Sequence, residues 1–249
     1  MGEPAQRRLY HELARLFPLV SPPEDYREEA DYWRQALRAA LGPGRHSILE
    51  LGCGGGHLLS HLSGEFQATA VDLSEPMLAL SRRRNPGVGH HLGDMRTVRL
   101  EGAFKAVLIH DAIMYMLTED DLRAALATAR AHLEPGGVLV MAPDWFKETF
   151  PGANVQHWIK RRDGQELTTI EYSCDPDPAD TTTETRFFYI WREGKELRVE
   201  QDRHVMGLFP LSTWTRLMQE SGFRVEEIPH PPRDGGYGDR LLVGVLERS

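Results

Sequence analysis

At 249 residues, with 41% hydrophobic residues, the chain is long enough to bury one sizeable core. Its formal charge of −8 argues against a nucleic-acid partner, which asks for a basic face, and leaves a small molecule as the expected partner. No apolar run approaches the ~18 residues of a membrane span, and the two cysteines, Cys53 and Cys174, suggest no disulfide framework. A cytoplasmic protein without membrane contact or signal peptide is therefore the expectation.

Residues 1–45 read as a helical cap. Leu9, Leu13, Leu16 and Phe17 recur at helical spacing, Ser21-Pro22-Pro23 interrupts them, and a second helix over 26–41 stops at Gly42-Pro43-Gly44. Tyr10 and Tyr26 fall outside the apolar stripe, either as rim aromatics of a ligand mouth or as half-buried side chains.

Ile48, Leu49 and Leu51 form a short apolar strand that runs into Gly52-Cys53-Gly54-Gly55-Gly56 and then a helix from His57. Glycines at 52, 54 and 56 let backbone N–H groups approach a ligand, with Cys53 as a small residue fitted inside the turn. The third glycine of a dinucleotide fingerprint would fall on His57, and no Gly-Lys-Ser/Thr follows. Both a dinucleotide loop and a P-loop are thereby excluded. Glu50, just before the glycines, suits a cationic amino group better than a phosphate.

The next strand ends in Val71-Asp72-Leu73, with Asp72 lying 22 positions after Glu50, where a carboxylate can hold ribose hydroxyls. Ser74 caps the helix that follows, which leaves Asp72 free for that role. A short strand over 90–93 ends in Asp94 and Met95, suited to an adenine amino group and the adenine ring. The strand Ala106–Ile109 is apolar throughout and ends in His110-Asp111, the mark of a central strand covered on both faces. Thr118 and Asp121 form a capping box, Leu122, Leu126, Ala129 and Leu133 an inner helical stripe, and Glu134-Pro135-Gly136-Gly137 a turn into the strand Val138–Met141.

From about 164 to 205 apolar residues alternate, as in Thr185, Phe187, Tyr189 and Trp191, predicting a small antiparallel insertion. A helix around Trp214–Met218 and two strands, 223–228 and 241–246, complete the pattern. The fold class expected is α/β, a doubly wound, seven-stranded, mostly parallel sheet over 46–249. His57 with His61, and His90 with His91, lack the partners of a metal site, so no metal is expected.

Four strand ends thus carry Glu50 with its glycines, Asp72, Asp94 and His110-Asp111, and in such sheets ligands bind beyond the strand carboxyl ends. Glu-x-Gly-x-Gly-x-Gly resembles motif I of the S-adenosylmethionine (SAM) dependent methyltransferases with a Rossmann-like fold. Asn85-Pro86-Gly87-Val88, Gly93-Asp94-Met95-Arg96, Leu133–Val138 and Trp145-Phe146 are similar to the N-methyltransferases that dimethylate nucleotide-linked amino sugars in macrolide biosynthesis.

The resemblance implies SAM as cofactor, S-adenosylhomocysteine as product, and cofactor contacts at Glu50, Gly52, Cys53, Gly54, Gly56, Asp72, Leu73, Asp94, Met95 and His110. It implies an acceptor pocket with Tyr10, Tyr26, Trp145 and Arg186, and Tyr115, Asp111 and His204 as catalytic candidates, Tyr115 first. The chain departs from that family at Ala142-Pro143-Asp144-Trp145, at His110-Asp111-Ala112 and at Gly236–Arg240, all toward the acceptor. Methyl transfer to a small amine, an amino sugar among them, is the function expected. O- or carboxyl-methylation of a small metabolite, and SAM binding without catalysis, are the alternatives. The insertion serves as a substrate cover or as a homodimer contact.

Overall fold

The computed structural model describes residues 7–233 and 236–247; residues 1–6 of the expected cap lie outside them. The cap is built of short helical pieces: 3-10 turns at Arg8–Tyr10, Ala14–Leu16 and Pro23–Tyr26, α1 (Phe17–Val20) and α2 (Arg27–Leu41). Pro18 and Pro23 sit in the first turn of α1 and of the Pro23–Tyr26 turn, where the missing N–H costs nothing, and Pro22-Pro23 keeps α1 from running on past Ser21. Leu9, Leu13, Leu16 and Phe17 are all buried, as their spacing demands.

The main-sheet core alternates β1 (Ser47–Leu51), α3 (His57–Leu62), β2 (Gln67–Asp72), α4 (Glu75–Arg84), β3 (Gly89–Leu92), β4 (Phe104–Ile109), α5 (Glu119–Ala131) and β5 (Leu133–Met141). The insertion follows as β6 (Ala153–Arg162), β7 (Gln165–Cys174), β8 (Thr182–Glu193) and β9 (Glu196–Gly207); α6 (Leu211–Glu220), β10 (Phe223–Pro229) and β11 (Arg240–Leu246) end the chain. The main sheet runs β10-β11-β5-β4-β1-β2-β3. Strands β1 to β5 are mutually parallel, and β11 is antiparallel to both neighbours. The order reverses between β1 and β4, so a crevice opens beyond their carboxyl ends. Ile48, Leu49 and Leu51 of β1 and Val107, Leu108 and Ile109 of β4 are fully buried, as strands with helices on both faces must be.

Two boundaries differ from the expectation. Leu133 opens β5, opposite Phe104, and a register shift before Ala106 absorbs the Glu134–Gly137 stretch. Strand pairing across the sheet, decided outside the local pattern, overrides the helical spacing of Leu133. The insertion opens at Ala153 rather than near Gly164, because β6 alternates as well: Val155, His157 and Ile159 face out while Asn154, Gln156 and Trp158 are half-buried. All four of its strands are antiparallel neighbours in the order β6-β7-β8-β9.

Gly56, the N-cap of α3, has φ 72°, and a Cβ there would overlap Ser81 Oγ and Asn85 Nδ2. It packs α3 against α4 and makes the turn out of the glycine loop. Gly56→Ala is expected to cost ~1–3 kcal/mol and to lower the midpoint of thermal unfolding by several degrees, read by calorimetry or circular dichroism.

Candidate active site

A cavity of about 810 Å³ lies beyond the carboxyl ends of the central strands, roofed by the cap, the insertion and the loop around Arg233 and Tyr237. Glu50, Gly52, Cys53, Gly54, Asp72, Leu73, Asp94, Met95, His110, Asp111, Tyr10, Tyr26, Tyr115 and His204 all line it. Three expected residues do not. Gly56 sits behind the loop against α4. Trp145 is buried at 6% exposure, packed on Phe150 and Tyr237, so it backs the wall rather than forming it. Arg186 is a correction: it points outward from β8 and pairs with Glu184. Strand side chains alternate, and Thr185, Phe187 and Tyr189 take the inner face.

Each wall has a local cause. The glycine loop turns tightly enough for Gly52 to pass under Ala112 and Met95, where a Cβ would overlap both. Asp72 Oδ2 accepts from the Gly54 N–H at 2.7 Å and Oδ1 from the Ser74 N–H at 2.8 Å. The carboxylate is thereby fixed between loop and helix, while burial raises its pKa. Asp94 is held by Arg96, which also reaches Asp121 at 2.8 Å; the Arg96 bonds keep its carboxyl below the usual range. Leu73 is exposed at the cavity edge, an apolar shelf beside Asp72.

Glu50 is 2% exposed, and its Oε2 has no hydrogen-bond partner among the described residues. Burial pushes its pKa up to about 8; the charge of His110 opposes this and those of Asp72 and Asp111 add to it. A buried carboxylate in that state is short of a cation.

A second set, of which the sequence reading singles out only His110 and Asp111 as site residues, fills the floor between β4, β5 and α2. His110 lies between Glu29 Oε1, 2.6 Å from Nε2, and Asp111 Oδ1, 2.9 Å from Nδ1. Burial opposes its charge, yet the two carboxylates hold its pKa well above the ordinary imidazole value, so both nitrogens donate. Arg233 reaches Glu29, Asp111 and Asp144 together. Asp111 is held low despite burial by Arg233 and His110, whereas burial and the Asp111 charge push Asp144 up to about 8. Two cations, His110 and Arg233, thus hold three carboxyl groups together, and of the three Asp144 is the one pushed toward its protonated form. The sequence signal was thin: Glu29 and Arg233 are 204 positions apart.

Under the cap Tyr10, Tyr115 and His204 meet at the cavity wall. The two hydroxyls lie 2.9 Å apart, and Tyr115 Oη is 2.7 Å from His204 Nδ1. Tyr237 donates to Glu171 of β7 close by. His57, another residue not singled out for the site, stacks on Phe17, and among the described residues neither ring nitrogen has a partner; burial drives its pKa down to about 3.

This fold, with its glycine turn, strand-end carboxylates and roofed crevice, defines a SAM-dependent methyltransferase. A methyltransferase-domain family model matches residues 48–137. Over 224 residues the chain is 37% identical to the dTDP-3-amino-3,4,6-trideoxy-α-D-glucopyranose N,N-dimethyltransferase of Streptomyces venezuelae, spanning 89% of this chain and 92% of that one. Its fold matches the crystal structure of Streptomyces venezuelae DesVI with TM-score 0.83 at 33% identity, over 94% of this chain and 97% of the other. It also matches SAM-bound CalS10, an amino pentose methyltransferase from Micromonospora echinaspora, with TM-score 0.77 at 29% identity over 88% and 91%. The chain belongs to the family of SAM-dependent amino-sugar N,N-dimethyltransferases. SAM is its cofactor, and the residues fit it: Glu50 is a buried carboxylate in want of a cation, and the loop leaves room no Cβ would allow.

Arg233→Met is expected to destabilise the fold by about 3 kcal/mol at neutral pH, read by denaturant unfolding. Asp111, depressed in the native state, contributes stability above the ordinary carboxylate range of about pH 4 and loses it as pH falls below. The deficit of the variant should therefore narrow in acid.

Proposed function

We propose that this chain methylates the amino nitrogen of a deoxyamino sugar, using SAM. The observation that carries the reading is a single cavity with two chemically distinct linings: a glycine loop with Glu50 and Asp72, and the hydrogen-bonded tyrosine pair Tyr10 and Tyr115. Glu50 faces the cofactor's ammonium, Asp72 the ribose hydroxyls, Asp94 the adenine amino group, and Leu73 and Met95 the ring faces. When bound, SAM supplies a methyl group already activated on a sulfonium.

The protein's task is then positioning, which supplies roughly 7–11 kcal/mol when reacting atoms are held close and aligned. Tyr10, Tyr26 and Tyr115 bound the acceptor space. Burial raises the pKa of all three phenols, so they stay neutral and hydrogen-bond the amine without ionising. Asp111, with Arg233 and His110 neutralising it, orients from the floor rather than acting as a free base.

The insertion's outer face exposes Val155, Ile159, Tyr172, Leu197 and Val199, and we propose that it forms a homodimer through that face. Sedimentation should show a dimer, and Val155→Glu with Val199→Glu a monomer.

Two binding measurements test the cofactor roles. Asp72→Ala should weaken SAM binding by ~1.5–3 kcal/mol, roughly ten- to a hundredfold, in calorimetry. At pH 7 Glu50, with its pKa near 8, holds a proton in the free protein; a neighbouring cation expels it. Calorimetry in buffers of different ionisation heat should find about one proton released per SAM, an affinity that rises with pH up to about 8, and no release in Glu50→Gln. Methylation of a dTDP-linked 3-amino sugar, followed by mass spectrometry, checks the acceptor class.

A further inference from the structure

Asp202 lies on β9, two residues before His204, and is 3% exposed. Its Oδ1 accepts from the backbone N–H groups of Arg8 at 3.0 Å and Arg203 at 2.9 Å. Its Oδ2 accepts from the Leu9 N–H at 2.8 Å and lies 2.9 Å from His204 Nε2. One carboxylate from the insertion therefore ties down the cap at the point where Tyr10 enters the cavity, and also touches the histidine behind the tyrosine pair.

The donors along this chain can be assigned. A carboxylate only accepts, so His204 Nε2 carries the hydrogen. With the ring neutral, Nδ1 is an acceptor, and Tyr115 must donate to it across 2.7 Å. Tyr115 has then used its hydrogen, so Tyr10 donates to Tyr115 across 2.9 Å. The Phe187 edge, with centroids 4.9 Å apart, holds the His204 ring in this setting. Tyr10 is left facing the cavity with lone pairs and no hydrogen.

We propose that Asp202 is a positioning residue that sets the hydrogen-bond polarity of the acceptor pocket: through His204 and Tyr115 it obliges Tyr10 to accept. An amine meeting Tyr10 then gives up an N–H to it and keeps its own lone pair free to attack the methyl group. A Tyr10 that donated would bind that same lone pair and hold the amine unreactive. The role for the amine rests on the function proposed above; the polarity itself does not.

Asp202→Asn tests this. Facing Arg8 and Arg203, the new NH2 would oppose two backbone N–H groups that cannot yield. Facing the other way it opposes only one, at Leu9, together with a ring that can move its proton. The amide therefore turns its NH2 toward His204 and drives the ring to the Nδ1–H form, reversing the chain. Nitrogen-15 spectra of histidine-labelled protein at pH 8, with His204 assigned by its loss in His204→Gln, should show Nε2–H in the parent and Nδ1–H in Asp202→Asn. With dTDP-3-amino-3,4,6-trideoxy-α-D-glucopyranose as the probe, kcat should fall about a hundredfold. The KM for the sugar and the affinity for SAM should stay within about threefold.

A parent ring protonated on Nδ1, or a variant ring still protonated on Nε2, overturns the assignment. A flipped ring with unchanged kcat overturns the role. Should Asp202→Asn fail to fold, Tyr115→Phe frees the Tyr10 hydrogen by another route: kcat should fall, and adding Tyr10→Phe should raise it again, while a further fall overturns the proposal. If the parent enzyme leaves this sugar unmethylated, the substrate reading fails and the spectra still decide the polarity.

Discussion

Carboxylates gathered beyond the ends of parallel strands, with too few cations to satisfy them, are the constraint around which the rest of the molecule is arranged. Glu50, Asp72, Asp111, Asp144 and Glu29 all border one cavity. Taking a charge out of water is expensive unless it is paired or hydrogen-bonded, and each of these acids meets that demand differently. Asp72 uses backbone N–H groups. Asp111 and Glu29 share His110 and Arg233. Glu50 and Asp144 are pushed by burial toward the protonated form, and at Glu50, which pairs with no cation among the described residues, an incoming cation can reverse this.

That division separates scaffold from site. The His110–Arg233 cluster is internally balanced and ties the C-terminal loop to α2 and to the ends of β4 and β5, so it fixes the shape of the floor. Glu50 is unbalanced, and a sulfonium cofactor with an ammonium group is the kind of ligand that completes it. The family relationship supplies the cofactor, and the unpaired buried Glu50 fits the positive charge that cofactor carries.

The roof is made from parts distant in sequence. Asp202 of the insertion bonds Arg8 and Leu9 of the cap, Trp158 Nε1 donates to the Val20 carbonyl at 3.2 Å, and Tyr237 bonds Glu171. Cap, insertion and C-terminal loop therefore close over the cavity as one surface. The segments around Asp144 and Gly236–Arg240, where the sequence departs from the family it resembles, meet there: Arg233 pairs with Asp144, and the Arg233 N–H donates to the Tyr237 carbonyl.

Much was legible in the chain alone, for a physical reason. The glycine turn, the strand-end acids Asp72 and Asp94, and the apolar run before His110 are local patterns, and backbone sterics and strand burial act on neighbours in sequence. From these the sheet and the crevice followed, and the family resemblance they carry implied the cofactor. Tertiary structure decided the rest. Strand pairing moved Leu133 from helix to strand and extended the insertion back to Ala153, and the two-residue alternation of β8 turned Arg186 to the outside. Glu29, Asp202 and Arg233 acquire their meaning only from partners many positions away, because a hydrogen bond between distant segments leaves no periodicity in sequence.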